Sequence, residues 1–280
     1  MSRGGDATTE PVGAVAAGDA SVVGLEFWDC HAAIGRWTLP PPAGALDPEG
    51  LRAELAWAGA AGALVHHGLG RDYDPAAGNE ALLRELAEVG GVADSGAAGT
   101  LVPCVTLLPP DTAELPPPAE HLPALIRLGA RGARLYPKSH NFSLADWCAG
   151  ELLAAMERHR LPLSIDLAET TWEDLHGVCA AHPGLPVIVT RVNYRHERVL
   201  YPLFRHHPCL HVEISLFQGH RGIEEVVDRF GPERLLFGSG LPFYTPGAPV
   251  VMVVRADVGD VARRAIAGGN LRRLMAEVRP

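Results

Sequence analysis

The chain lacks several of the patterns that assign a protein quickly. No run approaches the ~20 apolar residues of a membrane span. The opening segment, MSRGGDATTEPVGAVAAGDASVVG, has no continuous apolar stretch of signal-peptide length. Cations are not in excess: 24 Lys and Arg face 33 Asp and Glu, for a formal net charge of −9. That balance argues against a nucleic-acid footprint and offers nothing to an acidic membrane surface. Five cysteines, at 30, 104, 148, 179 and 209, are odd in number, and no two have CxxC spacing. Reduced thiols in a cytoplasmic protein are therefore the expectation. No GxGxxG follows the first strand-like run, which disfavours a dinucleotide-binding sheet, and no cofactor is expected. Ser239 lies in Phe-Gly-Ser-Gly-Leu, not in a GxSxG nucleophile elbow. No internal sequence repeat is visible.

What is present is a regular alternation. The chain has 280 residues and is 47% hydrophobic, enough for one well-filled α/β unit. Residues 1–22, rich in Gly, Ala, Asp and Thr, read as a flexible tail, and 23–280 as one domain. Eight β-like runs fall at 25–29, 62–67, 101–108, 132–137, 161–167, 185–190, 210–217 and 234–240. Apolar stripes at helical spacing lie between them, such as Leu51, Leu55 and Ala58, or Ile223, Val226, Val227 and Phe230. Start signals agree with these helices. Asp47 precedes Pro48, and Ser143 is followed three residues later by Asp146, close to a capping box. Parallel strands need crossover helices, so eight β–α units predict a (β/α)8 TIM barrel, with an open doubly wound sheet as the rival. Two proline-rich stretches, RWTLPPPAGALDP and PPDTAELPPPAEH, read as long loops, and the first leaves the strand end where barrel sites form.

Four segments carry a resemblance: FWDCHAAIG at the first strand, GARGARLYP at the fourth, GPERLLFGSGLP at the eighth, and AIAGGNLRRLM at the close. In order and spacing they resemble the amidohydrolase-related family, the branch of small metal-dependent-hydrolase-like barrels with decarboxylases and lactonases, over residues 25–278. The resemblance implies a homo-oligomer and a small-molecule substrate. It also implies a zinc or manganese ion on a His-x-His pair of strand one, histidines ending strands five and six, and an aspartate ending strand eight. Such donors hold an ion while leaving a position for water, whose pKa drops toward ~7. Here His31 matches the first histidine, but Ala33, Asp166, Arg191 and Gly240 stand at the other positions. A guanidinium cannot coordinate a metal, and Ala and Gly carry no ligand. The metal site is read as lost, with Asp29, His31 and Asp166 as a poor substitute set.

Polar strand ends remain. His31, Asp29 and Asp166 are the candidates for proton transfer, since an imidazole beside a carboxylate suits acid–base work at neutral pH. Arg134, Tyr136, Lys138, Arg191, Asn193, Glu213 and His66 are the candidates for holding substrate, the cations suiting carboxylate or phosphate. Each has a plainer alternative. Arg134 and Glu213 fit a structural ion pair inside the barrel, and Asp29 fits a carboxylate bonding backbone amides. Of His66 and His67, which alternate in direction, one packs against a helix. The RDYDP segment fits a loop-fixing network. His182, His206 and His207 fit helix C-termini. Cys30 points away from Asp29 and His31 into core. Two functions follow: a metal-independent hydrolase or lyase acting on a small anionic metabolite, or a catalytically inactive barrel that binds a metabolite or partner protein.

Overall fold

The computed structural model describes residues 24–42, 44–90 and 99–280. The segment read as a tail, 1–22, lies outside the described residues. Eight strands pair in chain order, every neighbour parallel. They are β1 (Phe27–Ile34), β2 (Ala60–His67), β3 (Thr100–Thr106), β4 (Gly132–Leu135), β5 (Leu163–Asp166), β6 (Val187–Thr190), β7 (Leu210–Glu213) and β8 (Leu235–Leu236). Beyond β8 the chain runs on beside β1. Cys30 N donates to Phe237 O at 3.0 Å, Gly240 N to His31 O at 2.9 Å, and Ala33 N to Leu241 O at 3.0 Å. These bonds bring the last strand against the first and give the (β/α)8 barrel expected from the alternation.

Helices fill the crossovers, and local chemistry sets their starts. Asp47 caps the helix Pro48–Trp57, accepting from Gly50 N at 2.7 Å, with Pro48 in the first turn where a missing N–H costs nothing. A reciprocal Thr171–Asp174 box opens the helix Trp172–Ala181. Ser143 does not cap the following helix, contrary to the expectation from its spacing to Asp146. The helix begins at Asp146 with Ala145 before it, and Ser143 Oγ accepts from Ala145 N at 3.1 Å, bracing the turn ahead of the helix. His182 and His207 do stand at helix C-termini.

The strands bury two apolar layers. Outward-facing Ala63, Val65, Val105, Leu135, Ile165, Val189 and Val212 join the helices in the main core. A smaller interior cluster holds Trp28, Cys30, Leu64, Cys104, Ile188 and Leu236, closed below by Leu271, Leu274 and Met275 of the helix Asn270–Ala276. Cys30 is therefore core, as expected, but on the inside of the barrel. The register of β1 shifts between Asp29 and Ala32, a bulge that breaks the two-residue alternation. It lets Cys30 and the next residue, His31, both serve the interior.

Candidate functional site

A cavity of about 490 Å³ opens at the C-terminal ends of the strands. His31, His66 and Arg134 form its floor, and Trp37, Phe243 and Tyr244 its aromatic side. The floor is organised around His31. Its Nδ1 lies 3.3 Å from Glu213 Oε2, and its Nε2 lies 3.4 Å from Arg134 Nη2. A guanidinium only donates, so Nε2 accepts and the ring proton sits on Nδ1, facing the carboxylate. Glu213 is fully buried and also accepts from Ser215 N, from Ser215 Oγ at 2.9 Å and from Arg191 N at 3.3 Å. Gly238 makes this possible, because a Cβ there would lie 2.4 Å from Glu213 Cγ.

Arg134 is 3% exposed. It donates to Ser164 Oγ at 2.9 Å and Thr190 Oγ1 at 3.1 Å. No ion pair joins it to a carboxylate among the described residues. The expected direct pair with Glu213 is thus replaced by a relay in which His31 stands between the two charges. Tyr136 places its ring 5.6 Å from the Arg134 guanidinium and 5.7 Å from that of Arg71. Its hydroxyl is buried without a hydrogen-bond partner of ordinary geometry, and burial pushes its pKa well above 10. His66 stacks on His31 with centroids 6.1 Å apart. Burial, then the nearby Arg134 charge, hold it well below the usual 6.5, so it is neutral at pH 7. His67 faces outward, 3.6 Å from Glu85 of the helix Pro75–Glu88.

The other candidates lie in four different places. Arg191 and Asp166 reach the cavity wall as a pair, 3.2 Å apart, and Arg191 Nη2 donates to Tyr244 Oη at 2.9 Å. Asp166 also accepts from Ala168 N at 2.9 Å. Asp29 is fully buried behind the floor. It accepts His31 N at 2.8 Å, Ser239 N at 3.0 Å and Ser239 Oγ, so it fastens β1 to the segment after β8 and does not touch the imidazole. Burial, against these donors, raises its pKa. Lys138 turns toward a neighbouring groove and donates to Ala168 O at 2.8 Å, and Asn193 caps the turn Tyr194–His196. The carboxylate that meets His31 is therefore Glu213, with Asp29 held off by the bulge and Asp166 by Arg191.

The loop-fixing network is built around Glu169. It accepts from Ser139 N at 2.9 Å, Ser139 Oγ at 2.6 Å and Arg71 Nη2 at 3.1 Å. Arg71 pairs with Asp72 at 2.9 Å, and Asp72 accepts Thr38 N at 2.8 Å, which ties in the first proline-rich loop. Trp37 of that loop was not singled out in sequence, nor were Phe243 and Tyr244. The loop itself was the available signal for Trp37. The LPFYTP segment carried none.

A divalent ion does not fit this donor set. Ala33 and Gly240 offer no ligand, Arg191 neutralises Asp166, and the Arg134 guanidinium lies on the His31 nitrogen that an ion would take. No three His, Cys, Asp or Glu side chains among the described residues converge as a metal-binding group.

Eight parallel β–α units with polar groups collected at the strand C-termini define a TIM-barrel protein with its candidate site at the C-terminal face of the barrel. The family model described as amidohydrolase matches residues 28–275, and the chain belongs to that family. Among solved structures, it is similar to an uncharacterized TIM-barrel protein, Bb4693, from Bordetella bronchiseptica, with 17% identity and TM-score 0.67 over 90% of this chain and 99% of that one. It is similar to 5-carboxyvanillate decarboxylase LigW from Sphingomonas paucimobilis, with 15% identity and TM-score 0.68 over 90% and 99%. It is also similar to 5-carboxyvanillate decarboxylase from Novosphingobium aromaticivorans, solved with manganese, with 12% identity and TM-score 0.70 over 90% and 96%. At these identities the likeness is one of fold. No curated protein gives a significant match. No described helix is long and apolar enough to cross a membrane.

Proposed function

We propose that this barrel is a metal-independent acid–base enzyme, a hydrolase or lyase, acting on a small anionic molecule. Family membership and the decarboxylases among its structural neighbours support the hydrolase-or-lyase class. The observation that carries the finer reading is the Glu213–His31–Arg134 relay at the cavity floor. Burying two opposite charges is expensive and is no general source of stability. Spending them on the two nitrogens of one imidazole suits proton transfer.

The Nδ1–H of His31 faces a carboxylate that would stabilise the imidazolium, and Nε2 carries the lone pair. That is the arrangement of a general base. It suits activation of water against an ester, lactone or amide carbonyl better than protonation of carbon as carbon dioxide leaves. Arg134 Nη2 lies 3.4 Å from that lone pair. An incoming carboxylate competes for the guanidinium and frees Nε2, so substrate binding and base activation are linked. Arg191, partly exposed beside Tyr244, is placed to hold a second oxygen, and the Trp37, Phe243 and Tyr244 side suits a flat ring. The 5-carboxyvanillate and 2,6-dihydroxybenzoate decarboxylases among the neighbours make aromatic acids and their esters the first classes to screen.

Metal-stripped enzyme should turn over a member of that panel. His31→Gln should then lower kcat by about 10² or more while leaving binding largely intact. Release of carbon dioxide without hydrolysis would mark a lyase. Tight binding with no turnover across the panel would favour the ligand-binding barrel, a reading supported by the saturation of Arg191, Asp166 and both His31 nitrogens within the protein. Activity that needs added metal would refute the proposal.

A further inference from the structure

Tyr136 directly follows β4 and stands two positions beyond Arg134, so both reach the cavity while Leu135 between them packs outward in the main core. Tyr136 is 1% exposed, and its hydroxyl meets no hydrogen-bond partner of ordinary geometry. The charged groups beside its ring, Arg134 at 5.6 Å and Arg71 at 5.7 Å, are guanidiniums. They donate, but they have no lone pair for the phenol proton. The imidazole of His140 stands edge-on to the ring with centroids 5.5 Å apart, yet its Nδ1 is also without a partner. In the lining of the same cavity, Trp37 Nε1 and Arg134 Nε are two more buried donors without an acceptor. An unpaired buried donor costs stability, so three of them around one cavity mark a lining suited to an oxygen-rich guest.

We propose that Tyr136 is the oxyanion donor of this site: its O–H holds the substrate's carbonyl oxygen and stabilises the charge that oxygen takes on when water adds to the carbon. The inference rests on the reading of His31 as general base. Arg134 anchors the substrate carboxylate, and Tyr136, against the same guanidinium, takes the carbonyl of an ester or amide on the same small molecule. In the addition, the water oxygen bonds the carbonyl carbon, its proton passes to His31 Nε2, and the C=O electron pair moves onto the oxygen facing Tyr136. When that pair returns, the bond to the leaving oxygen or nitrogen breaks, and the leaving atom takes the proton from His31. Tyr136 keeps its own proton throughout, because burial pushes its pKa well above 10. A neutral donor fixed before the reaction needs no rearrangement as the charge develops, which is the condition under which such a bond lowers the barrier most.

The test compares the full wild-type chain with Tyr136→Phe and His31→Gln. The substrate is monomethyl isophthalate, and the tetrahedral mimic is the same ring with a methyl phosphonate in place of the ester. The wild type should bind the phosphonate about 10²-fold more tightly than the ester. Tyr136→Phe should erase most of that preference and lower kcat by about 10²–10³-fold, with KM nearly unchanged and the pH profile in place. It should melt no lower than the wild type, since the lost hydroxyl gives up no partner. A Tyr136→Phe protein that melts lower and turns over normally would mark a structural hydroxyl and overturn the proposal. So would a wild type that binds the phosphonate no better than the ester. The preference is a ratio of two affinities of one folded protein, so it decides the matter even if the variant is less stable. The base reading fails separately: if His31→Gln turns over like the wild type while Tyr136→Phe loses the preference, the donor stands and the base falls.

Discussion

Glu213→Gln is the sharpest perturbation of the site, because it keeps the shape of the side chain and removes its charge. Glu213 is fully buried and accepts from four donors: Ser215 N, Ser215 Oγ, Arg191 N and His31 Nδ1. A glutamine can offer one oxygen to them. Its amide nitrogen must then face a donor, and Arg134 loses the only carboxylate linked to it through His31. Breaking one partner of a buried charged network costs about 3–5 kcal/mol. For a domain somewhat above 200 residues, each kcal/mol moves the midpoint by about 2–4 °C, so Tm should fall by roughly 6–20 °C. Differential scanning calorimetry measures this directly, and turnover should drop by about 10² in parallel. The double variant Glu213→Gln/Arg134→Gln is the internal control. If the two charges are coupled through His31, it should be less destabilised than the summed single variants by about 0.5–3 kcal/mol. A Glu213→Gln protein melting within a degree of wild type, or single-variant losses that simply add, would refute the relay.

Three other outcomes can be checked with the same instruments. Ser239→Ala removes the hydroxyl donor from buried Asp29 and should cost about 1.5–3 kcal/mol, with little change in ligand affinity because Asp29 does not face the cavity. Gly238→Ala would bring a methyl within 2.4 Å of Glu213 Cγ, and it should destabilise by about 1–3 kcal/mol and loosen the His31–Glu213 contact. Acid should weaken the fold through buried histidines. Burial holds His211 down at about 4, and His66 also lies well below 6.5, so both stay neutral while their unfolded counterparts take up protons. Stability is unaffected by them above pH 6.5 and falls as pH drops from there toward 4, by up to roughly 3 kcal/mol for His211. Urea midpoints measured across that range should lose part of this slope in His211→Gln.

The barrel was legible because its cues are local. Eight β-like runs, the Asp47–Pro48 start and the stripe of Ile223, Val226 and Phe230 each depend on neighbours within one element. The site was legible only as a set of strand ends. Which carboxylate meets His31 depends on the bulge between Asp29 and Ala32, and period-two reasoning treats such an offset as absent. With alternation assumed, Asp29 and His31 share a face. In the fold, Asp29 is spent on Ser239, and Glu213 arrives from a strand 182 positions away.

The two sides of the cavity mouth are fastened very differently. Around Glu169, several sheltered bonds tie three chain segments together, so that wall moves only if all of them give way. On the opposite wall the Tyr244 hydroxyl is fastened by one guanidinium, that of Arg191, whose side chain is 41% exposed and whose pairing with Asp166 salt can screen. Molecules should therefore pass on the Tyr244 side. Tyr244→Phe would speed arrival and departure alike, changing how fast the chamber fills far more than how full it stands at equilibrium.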